Sequence, residues 1–470
     1  MSKQPASKTN LKPRVSGGVP WWIWGIMAVL GGGIVFALVQ RSIPEDPATM
    51  FEQALAAAEK SDGNAVRVAA EKLTEYPEYS KKKKYLDGLL LLGTSRPLKA
   101  IELLKEASEE PSIRARSLLL LGSAYAQSEK YDQAIETFEN AIKEDEGSND
   151  VRFRLASIYK ELMAFDQAVS QLDILISKEF KLSETLRMRA DIRVDQRKFA
   201  EAVEDYEAAI RADKNNPINS LIAERLIQGF LKLQNLKKAE EYVGLADQSP
   251  AKAFLEAEKL LQSGDVQKIA AILESLRTNA AFDPRTHIIY GRMMLHEVTS
   301  EKAAEGLAGL QTGLRVVTRN AELYKVVVEL AGAAGDEKMA LAAQQNVDQL
   351  QEFDKQFADQ LALVSASRSG YDERLKLAQL AQEIGLSDFA MTVCQSLSRS
   401  FPERTSDIMA FQDKLFAALP PLVALPSAAA QGVSDPAQPA DDGKQASNPP
   451  AANGPAALPA TESTPPTEPK

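Results

Sequence analysis

Apolar positions between residues 48 and 419 recur at spacings of three and four, which is typical of helices with one buried face. The same stretch is rich in Ala, Leu, Glu, Lys and Gln, which all favour helix. Proline is excluded from helix interiors, so the prolines of this stretch mark turns. They are Pro77, Pro97, Pro111, Pro217, Pro250, Pro284 and Pro402. The pattern predicts an all-α chain.

Several positions repeat at one constant interval along the chain. Small residues recur at Ala100, Ala134, Ala168 and Ala202, and aromatic residues recur at Tyr131, Phe165 and Phe199. The segment KYDQAIETF at 130–138 returns as AFDQAVSQL at 164–172 and as KFAEAVEDY at 198–206. Three copies in register predict an array of stacked helix hairpins.

This interval and these motifs resemble the tetratricopeptide repeat family, whose period is about 34 residues. The best copy, 115–148, matches the family pattern at Leu118, Leu121, Gly122, Tyr125, Ala134, Phe138 and Ala141. The resemblance is strong over about 100–215 and fair over 81–253. It implies a right-handed α-solenoid over 47–419, whose core lies between neighbouring hairpins. Arg193 departs from the pattern, because Tyr is usual there, and three inserted residues around Asn216–Pro217 shift the next copy.

Beyond residue 253 the resemblance weakens, although helix pairs broken at glycines continue to about residue 400. The stretch 337–364 favours a longer helix that interrupts the stacking.

Residues 21–40 are the least polar segment. Trp21–Val39 is an uncharged run, and as a helix of about 19 residues it would span roughly 28 Å, close to the thickness of bilayer hydrocarbon. Its tryptophans cluster at one end, where indoles favour the headgroup layer. We expect a transmembrane helix over 21–40 that contacts the lipid bilayer through Trp21–Val39. A cleaved signal peptide is the less favoured alternative, because its apolar region is usually shorter.

Basic residues set the expected orientation. Residues 1–20 carry four cations and no acid, whereas Arg41 is followed by Glu45 and Asp46. The positive-inside rule therefore predicts a cytoplasmic N-terminus at 1–20 and an extracytoplasmic repeat domain. The sequence has no N-x-[ST] sequon, which is consistent with a bacterial envelope protein at the inner membrane.

The last segment, 420–470, holds 12 of the 24 prolines and no aromatic residue. Such a chain buries too little apolar surface to offset its ordering entropy, so we expect a disordered Pro/Ala-rich tail. The favoured role is a spacer. The alternative is a PxxP ligand at 436–439 or 466–469.

Charge is divided among these segments. The net charge of −10 consists of +5 over 1–41, −3 over 420–470 and −12 over 42–419. The acidic array disfavours a nucleic-acid partner, which would require a surplus of cations. Lys81–Lys84 is most simply a solvated helix start; contact with an anionic partner or lipid is the alternative.

Candidate chemistry is sparse. With a single Cys, the chain cannot form an internal disulfide. With only two His, it has few residues for a His-rich metal site. His296-Glu297 begins an HExxH motif but lacks its second His, and His287 lies nine residues away, on the opposite side of a helix. Cys394 fits a buried apolar position. No phosphate loop, GxGxxG or GxSxG pattern occurs, so we predict no cofactor, no metal and no enzymatic activity.

What remains is a binding surface. In tetratricopeptide arrays the first helix of each hairpin lines a groove, and the resemblance maps that face here to eleven candidate partner-binding residues. They are Arg116, Leu119, Ser123, Gln127, Phe153, Ser157, Lys160, Arg187, Asp191, Glu224 and Gln228. The same face carries Glu161, Asp195 and Lys232. A mixed polar groove of this kind suits a protein or peptide partner.

These features together predict a membrane-anchored scaffold or assembly factor for protein–protein interaction. An accessory subunit of an envelope secretion or translocation complex is one alternative, on architecture alone. An envelope enzyme with an unrecognised site is a second, and a structural spacer that uses the tail is a third.

Overall fold

A computed structural model describes residues 46–246, 249–296, 298–366 and 370–416, together with Leu422 and Leu425. These residues form α-helices and short 3-10 turns without a β-strand, so the predicted all-α class is confirmed. The predicted N-terminus 1–20, the transmembrane helix at 21–40 and nearly all of the tail at 420–470 lie outside the described residues. None of the described helices is long and apolar enough to span a bilayer.

The helices follow one another in antiparallel pairs along most of the chain. In chain order they are α1 Pro47–Glu59, α2 Gly63–Lys72, α3 Ser80–Gly93, α4 Pro97–Ser108, α5 Arg114–Gln127, α6 Tyr131–Glu144, α7 Asn149–Glu161, α8 Phe165–Ser177, α9 Leu182–Asp195, α10 Phe199–Ala212, α11 Asn219–Lys232, α12 Leu236–Glu241, α13 Pro250–Ser263, α14 Val266–Asn279, α15 Pro284–His296, α16 Ser300–Val316, α17 Ala321–Ala334, α18 Glu337–Ala366, α19 Tyr371–Glu383, α20 Ser387–Ser400 and α21 Thr405–Phe416.

One turn geometry ends the first helix of successive hairpins. The second residue past the helix has a left-handed φ at five positions that recur once per repeat: Ser61, Ser95, Glu129, Met163 and Arg197. The next residue donates its N–H to the carbonyl five residues back, as Lys130 does to Tyr125 at 2.9 Å, which is the Schellman motif. The following turn of this kind, at Gln234, comes three residues later than the repeat interval would place it. The predicted three-residue insertion at Asn216–Pro217 is therefore confirmed.

The two helices of a hairpin approach closely at a small residue. A Cβ added at Gly122 of α5 would lie 2.5 Å from a ring carbon of Phe138 on α6, which is too close for real atoms. Phe138 and Ala134 are fully buried beside it. The absence of a side chain at Gly122 therefore allows this helix spacing.

Arg193, which stands where the family has Tyr, belongs to a charged cluster. Its Nη1 donates to Asp205 at 2.7 Å, and Arg189 donates to the same carboxylate from Nε at 2.8 Å and from Nη2 at 2.6 Å. Asp205 is only 3% exposed. A paired buried carboxylate thus fills the place of the usual aromatic contact.

Buried side chains form separate clusters along the array, as a solenoid requires. One cluster lies within 186–255, the next within 254–289 and a third within 288–350, with Leu422 and Leu425 packed against the third. Helix α18 has 30 residues, so the longer helix favoured over 337–364 is confirmed.

Another cluster does not follow this local order. It joins buried residues from 50–192 with buried residues from 357–408. The C-terminal helices therefore pack on the early repeats. Phe357 of α18 is fully buried, and the guanidinium of Arg197 lies 6.0 Å from its ring centroid. Ion pairs join Arg197 to Asp354 and Arg399 to Glu161 at the same contact.

This closure buries one turn that is otherwise a surface feature of the array. Each residue of Leu162–Phe165 is at most 3% exposed, whereas the equivalent turns at 128–131 and 196–199 are half-buried or exposed. This contact does not follow from the repeat pattern of the sequence. The sequence feature that indicates the contact is the apolar run Leu-Met-Ala at 162–164. The neighbouring copies have the polar runs Ser-Glu-Lys and Gln-Arg-Lys at this place.

Alanine should act in opposite directions at two helical glycines. Gly122→Ala forces a Cβ against the Phe138 ring and should lower the free energy of unfolding by about 1–3 kcal/mol. Gly332 of α17 has open space around its Cβ position, so Gly332→Ala should raise it by about 0.5–1 kcal/mol. Urea unfolding followed by circular dichroism measures both. Equal losses at the two positions would contradict the close contact at Gly122.

Candidate functional site

The predicted groove residues come from α5, α7, α9 and α11, the first helices of four successive hairpins. On α7, Phe153, Ser157 and Lys160 are separated by four and three residues, so they share one face. The structure gathers seven of the eleven candidates into two pockets, and α7 contributes to both.

The first pocket, called the Phe153 pocket here, has a volume of about 310 Å³ and is lined by Ser123, Gln127, Phe153 and Ser157 among others. Phe153 is half-buried, and the Lys181 ammonium lies 5.3 Å from its ring centroid. Lys181 also pairs with Asp150 at 3.2 Å. The pocket therefore offers a half-buried aromatic ring beside a cation. Lys181 was not among the predicted groove residues, because it lies in the turn between hairpins.

The second pocket, called the Asp195 pocket here, has a volume of about 230 Å³. Its lining residues are Lys160, Arg187, Asp191, Val194, Asp195, Tyr206, Leu221, Ile222 and Arg225. Three of them, Lys160, Arg187 and Asp191, were predicted as candidates. Tyr206, Leu221 and Arg225 were not. Tyr206 comes from a second helix, whereas Leu221 and Arg225 lie on the mapped side of α11, each seven residues before a mapped residue, Gln228 and Lys232.

Asp191 is fully engaged in this pocket. Its Oδ1 accepts a hydrogen bond from the Tyr206 hydroxyl at 2.5 Å. Its Oδ2 accepts one from Arg187 Nη1 at 3.0 Å and lies 3.8 Å from Lys160 Nζ. These contacts account for the charge of Asp191 within the protein.

Asp195, one turn further along α9, has a different environment. Burial raises its pKa to about 6, and the nearby Asp191 acts in the same direction, while Lys160 and Arg225 oppose the shift. Within the part of the chain that the structure describes, no group donates a hydrogen bond to its carboxylate. Asp195 is therefore a partly desolvated carboxylate that accepts no hydrogen bond from the described protein groups.

The other four candidates lie outside both pockets. Arg116 is exposed and Leu119 is half-buried near the start of α5. On α11, Gln228 Nε2 donates to Glu224 Oε1 at 3.3 Å. The structure therefore does not group these four residues with the other candidates.

Residues considered for other chemistry have structural contacts. His287 Nε2 lies 3.0 Å from the Ala281 carbonyl oxygen, and His296 packs against Gly264. Burial of Cys394 raises its thiol pKa to about 11. Among the described residues no group of His, Cys, Asp or Glu could hold a metal ion.

The four lysines of Lys81–Lys84 all have local partners. Lys81 pairs with Glu109 at 3.1 Å, Lys83 pairs with Asp87 at 2.6 Å, and Lys84 pairs with Glu106. Lys82 lies 4.7 Å from the Tyr79 ring centroid. These contacts favour the solvated helix start over a contact with lipid.

Residues 94–238 match the tetratricopeptide repeat-like domain family, which confirms the resemblance over that range. No curated protein sequence matches the chain.

The chain is also similar at low identity to several solved structures. MamA from Desulfovibrio magneticus RS-1, solved from residue 41 to its end, is 15% identical, with 35% of this chain and 90% of the solved chain covered and a TM-score of 0.32. PilF from Pseudomonas aeruginosa is 17% identical, with 44% and 96% covered and a TM-score of 0.35. The APC/C hetero-tetramer Cut9-Hcn1 gives 15% identity, 84% and 95% coverage and a TM-score of 0.31.

Asp195→Asn should stabilise the protein at neutral pH. A raised pKa means that the folded state holds this proton more tightly than the unfolded state, so ionised Asp195 costs stability. The cost is fully present above the folded pKa of about 6 and fades as the pH falls towards the ordinary value of 3.8. The gain from Asn should be on the order of 1 kcal/mol at pH 7.5 and close to zero at pH 4.

Urea unfolding at the two pH values measures the effect. Asp191→Asn is the matched control and should lower stability at pH 7.5, because it removes the charge that accepts hydrogen bonds from Tyr206 and Arg187 and pairs with Lys160. A gain from Asp195→Asn of equal size at both pH values would contradict this assignment.

Proposed function

We propose that this protein is a scaffold or assembly factor that binds partner proteins through the groove on α5, α7 and α9. The observation that carries the proposal is that α7 lines both pockets. Phe153 lies in the first and Lys160 in the second, and seven helical residues cover about 10 Å. Three extended residues cover about the same distance. One extended segment of a partner is therefore long enough to reach both pockets.

The chemistry of the two pockets favours a polar segment with at least one apolar or aromatic side chain. The Phe153 pocket offers a ring face and the Lys181 ammonium. The Asp195 pocket offers charges of both signs. Recognition of an extended peptide by side-chain pockets at fixed spacing is a common mode of protein interaction.

The proposal includes membrane attachment through Trp21–Val39. In this arrangement the N-terminus is cytoplasmic and the repeat array is extracytoplasmic, at a bacterial inner membrane. The finer role that we propose is an accessory subunit of an envelope secretion or translocation complex. The support is the length of the uncharged run and the excess of cations before it.

We further propose that the protein binds its partners without catalysing a reaction. The buried Cys394 thiol, whose pKa is raised to about 11, is protonated at neutral pH and is a poor nucleophile. The two histidines pack against backbone or glycine within the array.

A photo-crosslinking residue at Gln127, which is exposed in the Phe153 pocket, should capture the partner in cells that express the full chain. The same crosslinker at Glu136, exposed on α6, should not. In the Gln127 background, Phe153→Ala with Lys160→Glu should reduce the adduct at least about fivefold, the effect of losing roughly 1 kcal/mol of contact. Immunoblotting of the adducts measures the yield.

The matched control is Leu98→Ala with Lys99→Glu, since it removes an exposed apolar side chain and inverts a lysine on α4. It should leave the adduct unchanged. Equal adduct yields for the two double variants, with equal melting temperatures, would rule out the groove as the binding surface.

Deletion of residues 1–45 should release the repeat array from the membrane fraction, because the uncharged run supplies the bilayer contact. Trypsin added to spheroplasts should cut the array of the full chain while an epitope tag at the N-terminus stays protected. Recovery of the full chain in the soluble fraction would contradict the anchor, and protection of the array would reverse the orientation.

A further inference from the structure

The Asp195 pocket contains one carboxylate and one guanidinium that the protein leaves unpaired. Asp191 already has Tyr206 and Arg187 as hydrogen-bond donors. Arg225 influences the ionisation of Asp195 across the pocket. Among residues 46–246, which hold the whole pocket, the side chains of Asp195 and Arg225 form no ion pair within 4.0 Å and no hydrogen bond. An acceptor and a donor thus face the same cavity without contacting each other.

Charge limits which group fits between them. A cation entering the pocket would approach Lys160, Arg187 and Arg225 together. An anion would approach two carboxylates, one of which has no donor. A neutral amide meets neither repulsion, because its N–H pairs with a carboxylate and its carbonyl pairs with a guanidinium.

The pocket also has an apolar floor. Leu221 is 48% exposed, while its neighbour Ile222 is buried. Val194 is half-buried beside them. An apolar side chain on the same partner residue would cover Leu221 and remove apolar surface from water.

We propose that the Asp195 pocket binds one residue of an extended partner backbone, whose N–H donates to Asp195 and whose carbonyl accepts from Arg225. This inference rests on the proposed groove function. In an extended segment the N–H and the C=O of one residue point to the same side. A single partner residue therefore satisfies both groups, with its side chain over Leu221.

Proton binding at Asp195 should modulate this contact. The groups that face Asp195 are Lys160 from α7, Arg187 and Asp191 from its own helix, Tyr206 from α10 and Arg225 from α11. A hydrogen bond to the ionised carboxylate is roughly twice as strong as one to the neutral acid. Affinity should therefore fall as the pH drops below about 6, the pKa of Asp195 in the free protein.

The probe is the capped tripeptide trifluoroacetyl-Ala-Leu-Ala-amide, titrated with the full chain in detergent and followed by fluorine NMR. N-methylation of the leucine nitrogen removes the donated N–H and should weaken binding about fivefold, the usual effect of one lost hydrogen bond. Asp195→Asn and Arg225→Gln should each weaken the binding of the parent peptide by about three- to tenfold. Glu204→Gln, at an exposed position on α10, should have no effect.

The pH profile separates a binding role from a structural one. The parent peptide should bind about threefold more weakly at pH 5 than at pH 7.5, and this difference should vanish in Asp195→Asn. Equal affinity of the N-methylated peptide would overturn the proposal. Tighter binding of analogues with Lys or Glu in place of Leu would overturn it in favour of a charged ligand.

Failure of this inference is distinguishable from failure of the groove proposal. If none of the peptides binds while the Gln127 crosslink to the partner persists, the groove function stands and the assignment of the Asp195 pocket is wrong. If the crosslink is lost as well, the groove function itself is wrong.

Discussion

The contact between Gly122 and the Phe138 ring fixes how closely two paired helices approach, and the surface of the array depends on that spacing. From α1 to α9 each hairpin then stacks on the next after one repeat, because the same Schellman turn ends the first helix of each at a constant interval. The first helices come into register, so that side chains of α5, α7 and α9 meet in two pockets. The groove is thus a consequence of backbone spacing in the core, and the buried Phe138 ring also lines the Phe153 pocket.

Two carboxylates in neighbouring helices show how the protein separates stability from binding. Asp205 accepts three hydrogen bonds from arginines and is buried, so its charge is compensated inside the fold. Asp195 is partly desolvated without a hydrogen-bond donor, and its pKa is raised to about 6. A carboxylate that lowers folding stability and accepts no hydrogen bond within the protein is typical of a group retained for function.

The parts of the fold that could be predicted from sequence are those set by local spacing. The helix pairs, the insertion at Asn216–Pro217 and the long helix near 337–364 all follow from periodicity and turn residues within about one repeat. The docking of α18–α20 on the early repeats could not be predicted in this way, because it joins partners such as Glu161 and Arg399 that are 238 residues apart. Likewise the helical face of Lys160 and Asp191 was predictable, whereas Arg225 and Tyr206 depend on how three hairpins meet.

That long-range contact has a consequence for synthesis. A chain made from its N-terminus completes the repeat at 149–182 long before the helices that cover Leu162–Phe165 exist. During that interval this apolar turn lacks the helices that cover it in the folded protein, although the hairpin itself is already formed. An open solenoid folds through contacts between sequence neighbours and has no such delay. Here the early repeats carry an exposed apolar patch until roughly two hundred further residues have left the ribosome, which at ordinary elongation rates takes about 10–40 s. The nascent protein is therefore most prone to aggregation, and most in need of a chaperone, after its best-formed repeats have already folded.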